Sequence, residues 1–532
     1  MKHPQYFRDW IGNWKWGARI ALFLILMSSL IQFGIFAMTQ SYMMSLLGLQ
    51  TEDVSFAMQI SYVGILATIP VQFRFMRCFE TRTYLMFNII TGILLSVCCI
   101  LNKDITLFYM IRFLQGIVVC NIAGGMVGLI YSRLKTEQMQ AIGSTVFYGS
   151  IFSNGVLIGI VAAIVMNTAD LSRVYYYSII FQVLSLFIAY VTLSPKSGHR
   201  RYPLFQMDWI GVFLFALAAA AMCYTMIYGS RYYWFRDQRI VCSACLAVLS
   251  ISSFIFRQLT IKRPLMDLSI FKSRNFIIGL LLLATYNGFK DSINIIYSYT
   301  GAVLQWSPEK LMLLGAVNII GVLFFMILSA QLMIRNRHSI KGFLLSGFGL
   351  MVLYHLWMYF IFTPNLSFMN LVIPVLLQGS ASGLLFVPIV IFTLSSAPRH
   401  TGTTGIVIAA CARFSATLNS IPGFYNLQLF FNKQHKLGIL NRISELDFET
   451  TARIESYTQM FKSKGYTTEQ ATAIAYSTLG RALDTQTQLL TNRSIFLMIA
   501  MVLSAVIFLI LVIPSLHKTT LRFNKRMFTN GR

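Results

Sequence analysis

A chain of 532 residues with 56% hydrophobic and 11% charged residues carries less than half the charge of an ordinary soluble domain, about 25%, and reads as an all-α integral membrane protein. The formal net charge of +25 would suggest nucleic acid in a soluble protein, but here the basic residues sit in short clusters between apolar runs, where charge sets membrane orientation. There is no Gly-rich phosphate loop, no H-E-x-x-H and no nucleophile arrangement, so neither an enzyme nor ATP-driven transport within this chain is expected, and no cofactor or metal is implied.

Crossing a hydrocarbon core of about 30 Å takes about 20 mostly apolar residues as a helix, because every backbone N–H and C=O must be satisfied within the segment. Fourteen such runs lie near 17–45, 54–73, 83–101, 105–132, 139–166, 172–193, 209–229, 239–256, 276–304, 310–334, 342–362, 368–394, 402–430 and 494–514. The first is too long for a signal-peptide core and lacks a small-residue cleavage site, so it is read as a span. Basic clusters recur at every second connection, as in Arg74, Arg77 and Arg82, Arg133 and Lys135, Lys196, Arg200 and Arg201, Lys272 and Arg274, Arg335, Arg337 and Lys341, Arg399, and Lys518 with Arg522. The alternate connections are short and nearly balanced, for example Glu52/Asp53, Lys103/Asp104 and Glu309/Lys310. The positive-inside rule then puts both termini in the cytoplasm, and an even number of spans agrees. Cys242 and Cys245 form a C-x-x-C in an apolar run with nothing polar around it, and read as small core residues.

An internal echo organises the chain. Residues 112–116 read RFLQG in the fourth run and 375–379 read VLLQG in the twelfth, each followed by small residues and a basic turn. If runs 1–6 and 9–14 are copies, both echoes occupy the fourth helix of their bundle. The domains expected are then a six-helix bundle at 1–195, two inserted helices at 196–263, a second bundle at 264–517 and a cytoplasmic tail at 518–532. Repeated halves with a site at their interface are the architecture of secondary transporters. The long polar connection at 431–492 has helical composition, with Thr467 and Gln470 fitting a capping box and Ala471, Ile474, Ala475 and Leu479 at helical spacing. It is expected to be a small helical hairpin on the outer face, either a cap on its own chain or a docking surface for a partner.

Three stretches carry a family likeness: PLMDLSIFKSRNF at 264–276, RFLQGIV at 112–118, and GYTTEQATAIAY running into LLTNRSIFLM ahead of the last span. With these the chain resembles the major facilitator superfamily, and within it the fourteen-span drug:proton antiporter family of the EmrB/QacA type. The resemblance implies two six-helix bundles plus two inserted helices. It implies proton-coupled export of lipophilic or amphipathic compounds by alternating access, from a bacterial cytoplasmic membrane. In a two-membrane bacterium it also implies a periplasmic adaptor leading to an outer-membrane channel. The chain departs from the pattern in three places. PVQFRFMRCFETRTYL keeps the basic residues of the loop after the second span but not its glycines. The fifth run keeps Gly149, Gly155 and Gly159 without the usual proline. The first run offers Thr39, Gln40, Ser41 and Tyr42 where related exporters often carry an acid. A uniporter, a specific metabolite or siderophore exporter, and a partner-binding membrane component therefore remain as alternatives.

An ionisable group at mid-span costs at least about 2.5–3.5 kcal/mol, so it normally faces the bundle interior and marks a path. Asp291 is the one acid placed well inside a span, in TYNGFKDSINII, and is the expected protonatable group. Lys290 is not expected to pair with it, because adjacent residues on a straight helix point about 100° apart. Arg112 is by resemblance the motif arginine linked to proton transfer, and could equally clamp backbone carbonyls of a neighbouring helix. Arg413 matches an arginine of the family pattern and is expected to partner Asp291 or anchor substrate. Gln115, Gln378, Asn287, Asn294, Tyr286 and His355 are the candidate substrate contacts, although a lone His on an apolar helix is more often a hydrogen-bonded core residue. Gly116, Gly149, Gly155, Gly159 and Gly379 are expected to serve packing and conformational change.

Overall fold

The structure is a computed structural model that describes residues 6–134, 139–168, 171–196, 204, 207–336, 340–398, 401, 403–441 and 448–513. The expected tail at 518–532 and the basic residues Lys135, Arg200, Arg201, Arg337 and Arg399 lie outside the described residues. The helices are α1 (Asp9–Asn13), α2 (Lys15–Leu47), α3 (Thr51–Cys78), α4 (Thr81–Leu101), α5 (Ile105–Arg133), α6 (Met139–Thr168), α7 (Leu171–Thr192), α8 (Trp209–Tyr228) and α9 (Gln238–Thr260). They continue with α10 (Arg274–Lys290), α11 (Ile293–Ala302), α12 (Pro308–Asn336), α13 (Ile340–Ile361), α14 (Phe368–Ser395), α15 (Thr404–Leu440), α16 (Phe448–Lys462) and α17 (Thr468–Val512). Among the described residues fourteen stretches are long and apolar enough to cross a membrane, with α10 and α11 together supplying one of them. This is a multi-pass membrane protein, and each apolar run of the sequence falls on one of these stretches.

The echoed glycines fix how the helices pair. A Cβ on Gly116 of α5 would overlap the Ser61 carbonyl of α3, and one on Gly379 of α14 would overlap the Asn318 carbonyl of α12. Counted from Thr51 and Pro308, Ser61 and Asn318 are both eleventh in their helices. Gly64 and Gly321 are both fourteenth in those helices and close the same contacts from the other side, Gly64 against Phe113 and Gly116, Gly321 against Leu376 and Gly379. Only glycine lets two backbones approach this closely, the small-residue packing that membranes favour where lipid offers no hydrophobic driving force.

One hydrophobic cluster is built from α2 to α7; a second joins α8 to α15 and α17, and reaches one side of α3 and α5. The inserted pair α8 and α9 pack on each other, and α8 also lies along α3 and touches α15. On α9 only Ile240, Ser250, Phe254 and Gln258 are buried. Cys242 and Cys245 are exposed rather than core residues, because the helix has one partner face and turns the rest outward.

The PLMDLSIF stretch has a local physical reason. The Gln258 side chain accepts from the Leu265 and Met266 N–H groups (2.6 and 3.1 Å) and donates to Asp208 (3.0 Å), which also takes Arg257 (2.7 Å). Asp267 then accepts from the Ser269 N–H (3.0 Å), and Ile270 is fully buried. The N–H groups ahead of the short 3₁₀ turn at Leu268–Lys272 are thus satisfied by side chains.

In the 431–492 segment the two stretches of helical composition form α16 and the start of α17, joined by a short turn and packed on each other. They are not detached from the spans: α15 continues into the segment as far as Leu440, and α17 runs unbroken for 45 residues, about 67 Å at 1.5 Å per residue. The predicted capping box at Thr467 and Gln470 is present at the start of α17, and α16 packs on α17. Continuity is cheaper than a new turn, since each helix end leaves four N–H or C=O groups to satisfy.

Candidate functional site

The ninth span is broken at the charges that stood out in the sequence. The Asn294 N–H bonds to the Asp291 carbonyl (3.0 Å) instead of to Lys290, four residues back, as a continuous helix would require. The Lys290 carbonyl is left over, and Gln378 Nε2 donates to it at 2.9 Å. Gln378 Oε1 in turn accepts from Asn318 Nδ2 at 2.6 Å, and Asn318 also donates to the Val375 carbonyl at 3.0 Å. Irregular backbone at membrane depth is tolerated only where it is buried in protein or lines a cavity; here both hold.

Because the helix ends at Lys290, the rule for adjacent residues fails: Lys290 Nζ and Asp291 Oδ1 form a direct ion pair. Asp291 is the C-cap of α10, and Oδ2 accepts from Ser420 Oγ of α15 at 2.7 Å. Ser292 meets His355 Nε2 of α13 at 3.0 Å, while His355 Nδ1 lies 2.7 Å from the Met351 carbonyl. A carbonyl only accepts, so Nδ1 carries the hydrogen and Nε2 accepts from the Ser292 hydroxyl. His355 is fully buried and is a hydrogen-bonded core residue that pins the break. Three helices, α13, α14 and α15, thus hold it.

Beside the break lies a cavity of about 170 Å³ lined by Asp291, Asn294, Ile295 and Ser298 of the broken span, Ser55 and Gln59 of α3, Ile227 of α8, and Ile421, Pro422, Phe424, Tyr425 and Gln428 of α15. It joins elements of both sequence halves and of the inserted pair. At its edge Tyr425 donates to Glu52 Oε1 (3.0 Å), Tyr228 of α8 donates to Asp53 Oδ1 (2.7 Å), and Asn426 donates to the Met226 carbonyl (2.8 Å).

Of the six candidate substrate contacts, Asn294 alone lines this cavity. Gln115 accepts from Arg112 (2.6 Å) and Gln378 holds the Lys290 carbonyl. Asn287 is buried, donates to the Leu283 carbonyl (2.8 Å) and leaves Oδ1 without a partner among the described residues. Tyr286 is buried against Phe386, ring centres 5.8 Å apart. Arg112, 1% exposed, points at the Ala57 and Gln32 carbonyls (3.4 and 3.5 Å) and lies 4.1 Å over the Phe36 ring, with no carboxylate partner among the described residues. Arg413 is not paired with Asp291. Its guanidinium sits 4.5 Å over Tyr148 of α6 and 5.2 Å over Phe386 of α14, because Lys290 and Ser420 already occupy the carboxylate. Gly149 and Gly159 bring α6 against Leu323, Met326 and Met312 of α12, whereas Gly155 faces open space.

Sequence reasoning missed Gln59, Ser292, Asn318 and Ser420, neutral polar residues that look like ordinary span background. It also read Glu52 and Asp53 only as loop charge. The usable signal was position, since Asn318 stands eleventh in α12 as Ser61 does in α3.

A model of the Major Facilitator Superfamily matches residues 21–418. The multidrug export protein EmrB of Escherichia coli (strain K12) is 25% identical over 309 residues, 57% of this chain and 58% of that protein. The probable multidrug resistance protein EmrY of the same strain is 21% identical over 467 residues, 85% of each chain. The match thus spans little more than half of the EmrB relative. Among solved structures, a POT family transporter in complex with a thioalcohol-conjugated peptide superposes with a TM-score of 0.60 at 13% identity, covering 94% of this chain and 96% of its own. A D-xylose-proton symporter gives 0.52 at 14% identity, covering 76% and 88%. At such identities these structures speak to the fold alone. Paired glycines in two corresponding helices, a broken span at the junction of the halves and the match over residues 21–418 agree: the chain belongs to the Major Facilitator Superfamily.

Proposed function

We propose that the chain is a proton-coupled exporter of lipophilic or amphipathic compounds, working by alternating access between bundles 1–195 and 264–517 with 196–263 inserted between them. The observation that carries this reading is Asp291. It is an acid buried in a break of the ninth span, balanced by Lys290, held by Ser420 and open on one side to a cavity shared by both halves. A carboxylate so placed can trade its lysine for a proton, and broken helices at a repeat interface are where secondary transporters bind their coupling ions. That EmrB is a multidrug export protein and EmrY a probable multidrug resistance protein supports the substrate class. The driving force suffices, at about 2.3 kcal/mol per charge across 100 mV.

The chain is proposed to lie in a bacterial cytoplasmic membrane with both termini inside, so that the Glu52 turn and the α16 arm face outward. The long ends of α15 and α17 with α16 would then present the docking surface for a periplasmic adaptor. The test is pH-gradient-driven uptake of lipophilic cations and neutral dyes into inverted vesicles. Wild type should accumulate a subset of dyes and Asp291→Asn should lose that uptake while remaining in the membrane. Normal uptake by the mutant would remove Asp291 from coupling, and uptake that survives collapse of the proton gradient would favour a uniporter.

A further inference from the structure

Gln59 is 1% exposed and lines the cavity beside Asp291, yet neither its amide oxygen nor its amide nitrogen has a partner among the described residues. A buried amide without hydrogen bonds is costly, and Gln59 borders this cavity. A lipophilic substrate does not fit there, since about 170 Å³ falls short of the roughly 300–1,000 Å³ that drug-sized ligands occupy. Water fits on both counts, because the space admits several molecules and Ser55, Gln59, Asn294, Ser298 and Gln428 supply the polar partners each one needs. The cavity also has two acidic ends. One is Asp291. At the other, Tyr425 lines the wall and donates to Glu52, which is half-buried in the first turn of α3.

We propose that this cavity is a hydrated proton path from Glu52 and Tyr425 past Gln59 to Asp291, separate from the route taken by the substrate. The proposal rests on the exporter reading for the traffic it carries. A hydronium at the Glu52 end passes its excess proton along the water file. The last water gives a proton to the Asp291 carboxylate and receives one from the water behind, so one O–H bond forms on Asp291, a neutral water remains, and Lys290 loses its anionic partner. Gln59 orders the file, its amide donating to one water and accepting from the next. The charged and titratable groups around the receiving carboxylate are Lys290 and Tyr286 on its own helix, Arg413 on α15 and Tyr62 on α3, with His355 of α13 behind Ser292.

The experiment has two readouts on the full-length protein. Intact cells carrying Ser298→Cys are treated with a small membrane-impermeant methanethiosulfonate, and labelling is scored above the wild-type background. Proteoliposomes carrying Gln59→Leu or Gln59→Asn are compared with wild type for the ratio of pH-gradient-driven dye uptake to dye counterflow, which requires no net proton movement. The path predicts labelling of Ser298→Cys, a fall in that ratio of about tenfold or more in Gln59→Leu, and recovery of most of it in Gln59→Asn. Absence of labelling, or a wild-type ratio in Gln59→Leu, overturns the path while leaving the exporter reading intact. A wild type with no pH-driven uptake at all overturns the exporter reading and, with it, the proton traffic.

Discussion

In α5 the Gln115 side chain takes its hydrogen bond from Arg112, one turn earlier on the same helix, whereas in α14 Gln378 reaches across to the Lys290 carbonyl of α10. The two glutamines are both eleventh in their helices and both precede the glycine that seats the neighbouring backbone. Arg112 has Val375 as its counterpart in the second copy, eighth in each helix. Replacing that arginine with valine leaves the second glutamine unclaimed, free to stabilise a break that the first half lacks. The same packing scaffold thus carries a closed, cation-centred polar cluster in one half and an open, acid-centred one in the other.

The largest effect tests the shared scaffold. Gly116→Leu and Gly379→Leu each drive a side chain into a neighbouring backbone carbonyl and should cost about 3 kcal/mol or more. Loss of monodisperse protein in detergent should be similar for both, and a large inequality would break the equivalence of the two helices. Next comes the difference in chemistry. Asp291→Asn should lower pH-driven uptake by about 100-fold. Arg112→Met should instead lower the melting temperature by removing a donor to Gln115 and the carbonyls, about 1–3 kcal/mol, and leave coupling measurable. A folded Arg112→Met protein with no coupling would mean that the first half shares in proton transfer. A smaller effect separates the two glutamines. Gln378→Leu uncovers the Lys290 carbonyl, about 1–3 kcal/mol, and should slow transport as well as destabilise, whereas Gln115→Leu should destabilise alone. The smallest lies on the arm, where the exposed Lys436 and Asp484 pair (2.8 Å) is worth at most about 1 kcal/mol. Lys436→Ala should leave the melting temperature within a few degrees of wild type.

The spans were legible because a membrane leaves hydropathy few alternatives, and the echo at Gln115 and Gln378 located corresponding helices. The site was legible only in part. Asp291 stands out by charge, but its ion pair with Lys290 contradicts the period of a straight helix and becomes possible only once the helix ends between them. Arg413 has a charge that invites Asp291, yet rings from α6 and α14 claim it first. The outer segment shows the same limit. Its capping box and periodicity are visible, but whether a helix starts afresh or grows out of a span depends on what it packs against.

By itself the sequence determined which segments are long and apolar enough to cross the membrane, that one short motif recurs in the fourth and twelfth of them, and that a costly acid in the ninth needs a purpose, because burial of backbone and charge is penalised wherever it occurs. The tertiary structure decided where the helix breaks, which side chain takes the freed carbonyl, and that Gln59 and Asp291 line one cavity. Those outcomes turn on hydrogen bonds between residues far apart in the chain, whose directions are set by the rotation and approach of whole helices rather than by local composition.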